Sequence, residues 1–137
     1  MADWLFKEEP DHYSFDQLFR DKRAVWSGVK NNLALKHLRS IKKGDRALYY
    51  HTGKEKAVVG EMSAVSDAQV VPVDGDPSAV AVKVKPVRKL AQPVSLATIK
   101  GDAALKDWEL VRLPRLSVMP VSEAQWRRIQ ELSESSK

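Results

Sequence analysis

Apolar positions along this chain switch between a period of two and a helical period, and the switches mark its elements. Bulky residues from Asp3 to Glu8 run up to Pro10, which has no N–H to offer a ladder, so a first strand is predicted there. Ser14 to Phe19 predicts a short helix. Ser14 is placed to cap it, Gln17 completes a capping box, and Phe15, Leu18 and Phe19 share a face. Val25 to Val29 reads as a break with an aromatic in it. Asn31 to Ile41 predicts a second helix, with Leu35, Leu38 and Ile41 as its stripe and Lys36, His37 and Arg39 interleaved. Lys42, Lys43 and a Gly44 C-cap close it. Arg46 to Thr52 and Lys56 to Val65 predict a hairpin around Gly53. Pro72 to Ser78 has loop composition, and Val80 to Val87 alternates as a half-exposed strand. A helix capped by Ser95, a further one over Ala103 to Leu110 and a strand over Leu116 to Val121 follow. Ser122 caps a last helix in which Ala124 or Gln125 turns toward Ile129 and Leu132. The pattern predicts one α+β domain over residues 1–132, built on a strongly bent sheet or open barrel, with a frayed tail over 133–137.

Composition narrows this. A length of 137 residues suits one core. The chain has no cysteine, which excludes disulfides, thiolate metal sites and a cysteine nucleophile. No apolar run approaches the ~20 residues of a membrane span, and the N-terminal stretch has neither a basic n-region nor an apolar h-region. A cytoplasmic monomer without membrane contact is expected. The net charge of +5 favours a polyanionic partner, and equally fits a merely soluble basic protein, because the cations are dispersed.

Catalytic motifs are missing: there is no glycine-rich phosphate loop and no Gly-x-Ser-x-Gly elbow. His12, His37 and His51 have no partners at metal-ligand spacing, so neither metal nor cofactor is expected. Local features carry the chemistry instead. Lys7, Glu8 and Glu9 at a strand end can donate to and accept from a polar ligand, or form a surface ion pair. Trp26-Ser27-Gly28-Val29-Lys30-Asn31 can wall a base pocket, with Trp26 stacking and Ser27 and Asn31 reading edges, or Trp26 can be core. Tyr50, His51 and Thr52 end a strand whose alternation sends Tyr49 and His51 to one face and Tyr50 to the other, to line a pocket or to pack across strands.

Taken in order, these features resemble the EVE domain. The motifs are Trp-Leu-Phe-Lys-x-Glu-Pro from Trp4, Trp-x-Gly-Val-x-Asn from Trp26, Gly44-Asp45 with Tyr50-His51-Thr52, Val58-Val59-Gly60, and Arg115 to Val121 followed by Glu123 and Trp126. The resemblance implies a PUA-like fold: a bent mixed β-barrel of about five to six strands flanked by short helices. YTH domains, which share this architecture, read N6-methyladenine in RNA through an aromatic cage, and EVE proteins are linked to modified cytosines in DNA. By the same resemblance Trp26, Gly28, Val29, Asn31, Lys7, Glu9, Tyr50, His51 and Thr52 fall on family motif positions, Glu9 with a structural role open to it. Glu8 stands where the family commonly has Ser or Thr, and Asn32 where it commonly has Tyr. A carboxylate at position 8 favours a base presenting an amino donor.

The expected function is that of a non-catalytic reader of a modified base, cytosine in DNA or N6-methyladenine, with Lys30, Lys36, Arg39 and Arg115 on the phosphates. Two rivals stand beside it. ASCH-type relatives of the fold hydrolyse modified nucleosides with Lys, Thr and Glu, which Lys7, Thr52 and Glu9 would imitate. That use of Lys7 needs a lowered pKa, and the adjacent carboxylates are expected to raise it. The other rival is a protein-interaction module in which Trp26 is core.

Overall fold

A computed structural model describes residues 2–27, 29, 31–70 and 79–135. The elements are β1 (Asp3–Glu8), α1 (Phe15–Asp21), β2 (Ala24–Trp26), α2 (Asn32–Arg39), β3 (Arg46–His51), β4 (Ala57–Ala64), β5 (Gln69–Val70), β6 (Val80–Ser95), α3 (Leu96–Lys100), α4 (Glu109–Arg112), β7 (Val118–Val121) and α5 (Glu123–Ser135). They form one mixed sheet in the order β2-β6-β4-β3-β1-β7, with the two-residue β5 beside β6. β1 runs parallel to β3, and every other pairing is antiparallel. A parallel pair needs a crossover, which α1, β2 and α2 supply.

The sheet curls because its ladders slip. Register shifts between Tyr49 and Tyr50, between Val58 and Gly60, and between Glu61 and Met62 leave extra residues in β4 and β6. Each extra residue bends its strand and increases the local twist. The bulges also let β6 run through Pro86 and Pro93 to Ser95, well past the predicted stop at Val87. α1, α2 and α5 pack on β6, and α2 also meets β7. The bent mixed sheet with short flanking helices is the architecture that the resemblance implied.

Local rules hold where side chains reach their own backbone. Ser14 accepts from the Gln17 N–H at 3.1 Å while Gln17 accepts from the Ser14 N–H at 2.8 Å. Ser122 and Gln125 repeat that box at α5. This contact takes Gln125 away from the core, and Trp126, Ile129 and Ser133 form the buried face in its place. Ser95 caps α3 as expected.

Other expectations change. Val25 and Trp26 are not a break but part of β2, paired to Lys83 and Val82. α2 stops at Arg39 with Ser40 as its C-cap, and Gly44, at φ 95°, turns the chain into β3. Ala103 to Leu110 is mostly turn, because the Asp102 carboxylate takes the Ala104 N–H at 2.9 Å and ion-pairs with Arg128. The tail does not fray at Ser133. That residue is buried, and its hydroxyl accepts from the Gln92 N–H and donates to the Gln92 carbonyl, which holds the last turn of α5 on β6. The expected Pro72–Ser78 loop lies outside the described residues.

Candidate functional site

A chain of edge-to-face rings ties the middle of the sheet to α1. Phe19 meets Phe15 at 5.4 Å, Phe15 meets Tyr49 at 5.4 Å, Tyr49 meets Trp26 at 5.5 Å, and Trp26 meets Phe6 at 5.0 Å between centroids. Trp26 is therefore a core residue, 8% exposed. It is also a wall: with Glu8, Tyr13, Asp21, Arg23 and Ser27 it lines an open cavity of about 390 Å³.

The elements around the cavity explain its shape. Lys22 ends α1 in the left-handed conformation at φ 67°, its N–H returned to the Leu18 carbonyl, and the chain then enters β2. This reversal brings Asp21 and Arg23 beside Trp26. The Tyr13 hydroxyl donates to Asp21 Oδ2 at 2.8 Å. Burial, and then the Asp21 carboxylate, push the Tyr13 phenol up to about 12, so it stays protonated as a donor. Glu8 accepts from the Glu9 N–H at 2.9 Å and faces His12 Nδ1 at 3.2 Å. Both contacts use Oε1, and Oε2 has no partner among the described residues. A carboxylate on the wall suits a ligand edge that carries an amino donor.

The other expected site residues disperse. Phe6, Tyr49, His51 and Trp26 share one face of the sheet, while Lys7 and Tyr50, register partners one step along, take the other. Lys7 Nζ donates to the Pro114 carbonyl at 2.9 Å and sits 5.7 Å from the Tyr50 ring centre. Burial lowers the Lys7 pKa, the reverse of the direction expected from its carboxylate neighbours. Tyr50 is buried. His51 Nε2 accepts from the Phe15 N–H at 3.0 Å, so the ring proton sits on Nδ1 and is donated to Glu55 at 2.7 Å. Neither ring nitrogen is left to read a base, and His51 instead clamps the start of α1 to the β3–β4 hairpin. Thr52, half-buried, extends the ladder through its N–H to the Glu8 carbonyl at 3.0 Å.

Asn31 caps α2 by accepting from the Ala34 N–H at 3.0 Å, and it lines a second cavity with Arg115 instead of the first. Val29 is half-buried against the core, while Lys36, Arg39 and Arg115 are exposed. Asn32, in place of the family's Tyr, is the exposed first residue of α2. Gly28 and Lys30 lie outside the described residues. Tyr13, Asp21 and Arg23 were not singled out from sequence. The cations Lys22 and Arg23 just before Trp26 were the available signal, but Tyr13 carried none. Among the described residues no cluster of three His, Asp or Glu side chains is placed to hold a metal ion, and no helix is long and apolar enough to cross a membrane.

Known proteins share this fold. Mouse thymocyte nuclear protein 1 is 27% identical over 166 residues, covering 96% of this chain and 74% of that protein. A Rhodopseudomonas palustris protein solved by NMR superposes with a TM-score of 0.92 at 34% identity, covering 100% of this chain and 96% of the other. Human THYN1 protein, crystallised in complex with 5-methylcytosine-containing DNA, superposes at 0.91 with 24% identity over 100% of both chains. The model of the EVE domain family matches residues 2–132, which takes in the sheet, the ring chain and the cavity, and the chain belongs to that family.

Proposed function

We propose that this chain is a nucleic-acid-binding domain that reads a modified cytosine in DNA, without catalysis, in the cavity beside Trp26. The observation that carries the reading is the cavity itself: an aromatic wall at Trp26 and acceptors at Glu8 and Asp21 around about 390 Å³, within the ~300–1,000 Å³ of small-molecule pockets. A base taken out of its stack regains stacking on an indole. Cytosine then presents its N4 amino group to a carboxylate. The complex of human THYN1 with 5-methylcytosine-containing DNA supports the choice of ligand, and the net charge of +5 supports a polyanionic partner. Arg23 on the wall of the cavity would hold the backbone, joined by the cations that the sequence offers at Lys30, Lys36, Arg39 and Arg115.

The hydrolase rival draws on the lowered Lys7 pKa. Against it, the Lys7 ammonium is held by the Pro114 carbonyl and lines neither the Trp26 cavity nor its neighbour. Turnover of an acylated cytidine by the protein, lost in Lys7→Ala, would replace the reader proposal.

The direct test is binding of the wild type and Glu8→Gln to matched oligonucleotides carrying cytosine, 5-methylcytosine, 5-hydroxymethylcytosine or N6-methyladenine, at one salt concentration. Trp26→Ala is a poor test, because truncating a core Trp costs ~3–5 kcal/mol of stability. Glu8 is part-exposed, and Gln keeps its size. The expected result is tightest binding of a marked cytosine, with Glu8→Gln weaker by about tenfold, the worth of one charge-assisted hydrogen bond. Equal affinity for every oligonucleotide, unchanged by Glu8→Gln, sinks the proposal.

A further inference from the structure

A second cavity, of about 310 Å³, opens between the start of α2 and the segment joining α4 to β7. Its chemistry is opposite to that of the first. Leu33, Leu113 and Pro114 supply an apolar floor, Arg112 and Arg115 the charge, and no carboxylate lines it. Leu33 and Leu113 are 41% and 36% exposed and meet on this one cavity. Arg115 is exposed and has no acidic partner among the described residues. Arg112 is steadied by its own Nε, which donates to the Asp107 carbonyl at 2.6 Å. The first turn of α2 holds no acidic residue, so the positive end of that helix adds to the same field.

One short connection ties this cavity to the Trp26 cavity. Lys7, whose ammonium holds Pro114 on the second cavity, points to the face of β1 opposite its chain neighbour Glu8 on the first, so the link is made by the chain that follows β2. Ser27 on the first and Asn31 on the second are four residues apart, at most ~14 Å of extended chain. We propose that the Leu33–Arg115 cavity is a second nucleotide subsite, which takes the nucleotide next to the base read beside Trp26. Its sugar and base rest on Leu33, Leu113 and Pro114, and its phosphate meets Arg115. An apolar floor with arginines at its edge matches a nucleotide, whose base and sugar are apolar in contact and whose phosphate is anionic. The proposal rests on the reader function above and adds a strand-tracking step to it.

The test uses single strands with one 5-methylcytosine or cytosine, each with the neighbouring nucleotide either intact or abasic, on the 5′ or the 3′ side. The proteins are the wild type, Leu33→Ser/Leu113→Ser, and Arg115→Gln, all altered at exposed positions. The leucine pair is expected to weaken the intact strand about tenfold and the strand with an abasic neighbour much less, because only the sugar is left on the floor. Arg115→Gln is expected to weaken marked and unmarked strands alike and to flatten the salt dependence by about one ion. The ratio of 5-methylcytosine to cytosine affinity stays at the wild-type value in both variants. Wild-type affinity of the leucine pair for every strand overturns the subsite and leaves the apolar patch to a protein partner. A wild type that does not distinguish 5-methylcytosine from cytosine sinks the base reading instead. In that case the subsite stands or falls by the leucine pair alone.

Discussion

Gly60→Ala tests whether the ring chain sets the wall of the cavity. Gly60 lies in β4 opposite Tyr49, and a Cβ placed on it would overlap three carbons of the Phe15 ring. The ring has nowhere to go. It is 1% exposed, it packs on Phe19 and Tyr49, and its own N–H is held by His51 Nε2. Forcing an extra methyl into a packed core costs ~1–3 kcal/mol. Against this, alanine loses less backbone freedom on folding than glycine, which returns ~0.4–1 kcal/mol. The net expectation is a loss of about 1–2 kcal/mol, or about 4–8 °C in Tm for a domain of this size. Thermal unfolding followed by circular dichroism measures it. Phe15→Leu supplies the control: if the clash is with this ring, the smaller side chain costs less in the Gly60→Ala background than alone, and the cycle shows coupling. A Gly60→Ala protein as stable as the wild type, or additive losses in the double variant, would refute the reasoning.

Two further predictions concern stability at the ends of the strands. The buried Asp45 carboxylate accepts from the Ala2 N–H, the Trp4 indole and the Lys42 N–H at 3.0–3.1 Å. Burial alone would raise its pKa, but these bonds outweigh burial and the net shift is downward. Its stabilisation is therefore complete above the ordinary carboxylate pKa and is lost as pH falls through the lowered value. Asp45→Asn should cost about 2 kcal/mol in urea unfolding at pH 7, and the gap to wild type should narrow below about pH 4; a gap that holds constant into acid contradicts this. His51→Ala leaves the buried Phe15 N–H without an acceptor and should cost ~1–3 kcal/mol with faster hydrogen exchange in α1; unchanged exchange there would show that the clamp is not used.

Some of the site was legible because its signals are local. Trp26, Ser27 and Glu8 fall on motif positions or beside them, and all three line the cavity. His51, Tyr50 and Lys7 fall on motif positions too, yet their polar atoms or rings are spent on Phe15, Glu55, Pro114 and the core. A motif reports that a residue type is required at a position. It does not report whether the requirement is for a ligand or for the fold. Tyr13, Asp21 and Arg23 join the site only because α1 reverses at Lys22, a left-handed residue that is not glycine and so leaves no mark in composition.

What the sequence determined by itself follows from contacts a few residues long. The capping box at Ser14, the Ser95 and Ser122 caps, the strand before Pro10 and the hairpin around Gly53 all rest on a side chain or turn meeting its own neighbourhood. Periodicity and the motif order were enough for a bent sheet with short helices. Only the tertiary structure decided the rest. The bulges that curl β4 and β6, the pairing of Trp26 with Val82, the clamp of His51 on Phe15 and the placing of Pro114 by Lys7 join residues far apart in the chain. Such contacts are chosen by which packing of the whole chain buries its rings and satisfies its polar groups together, and no single segment carries that information.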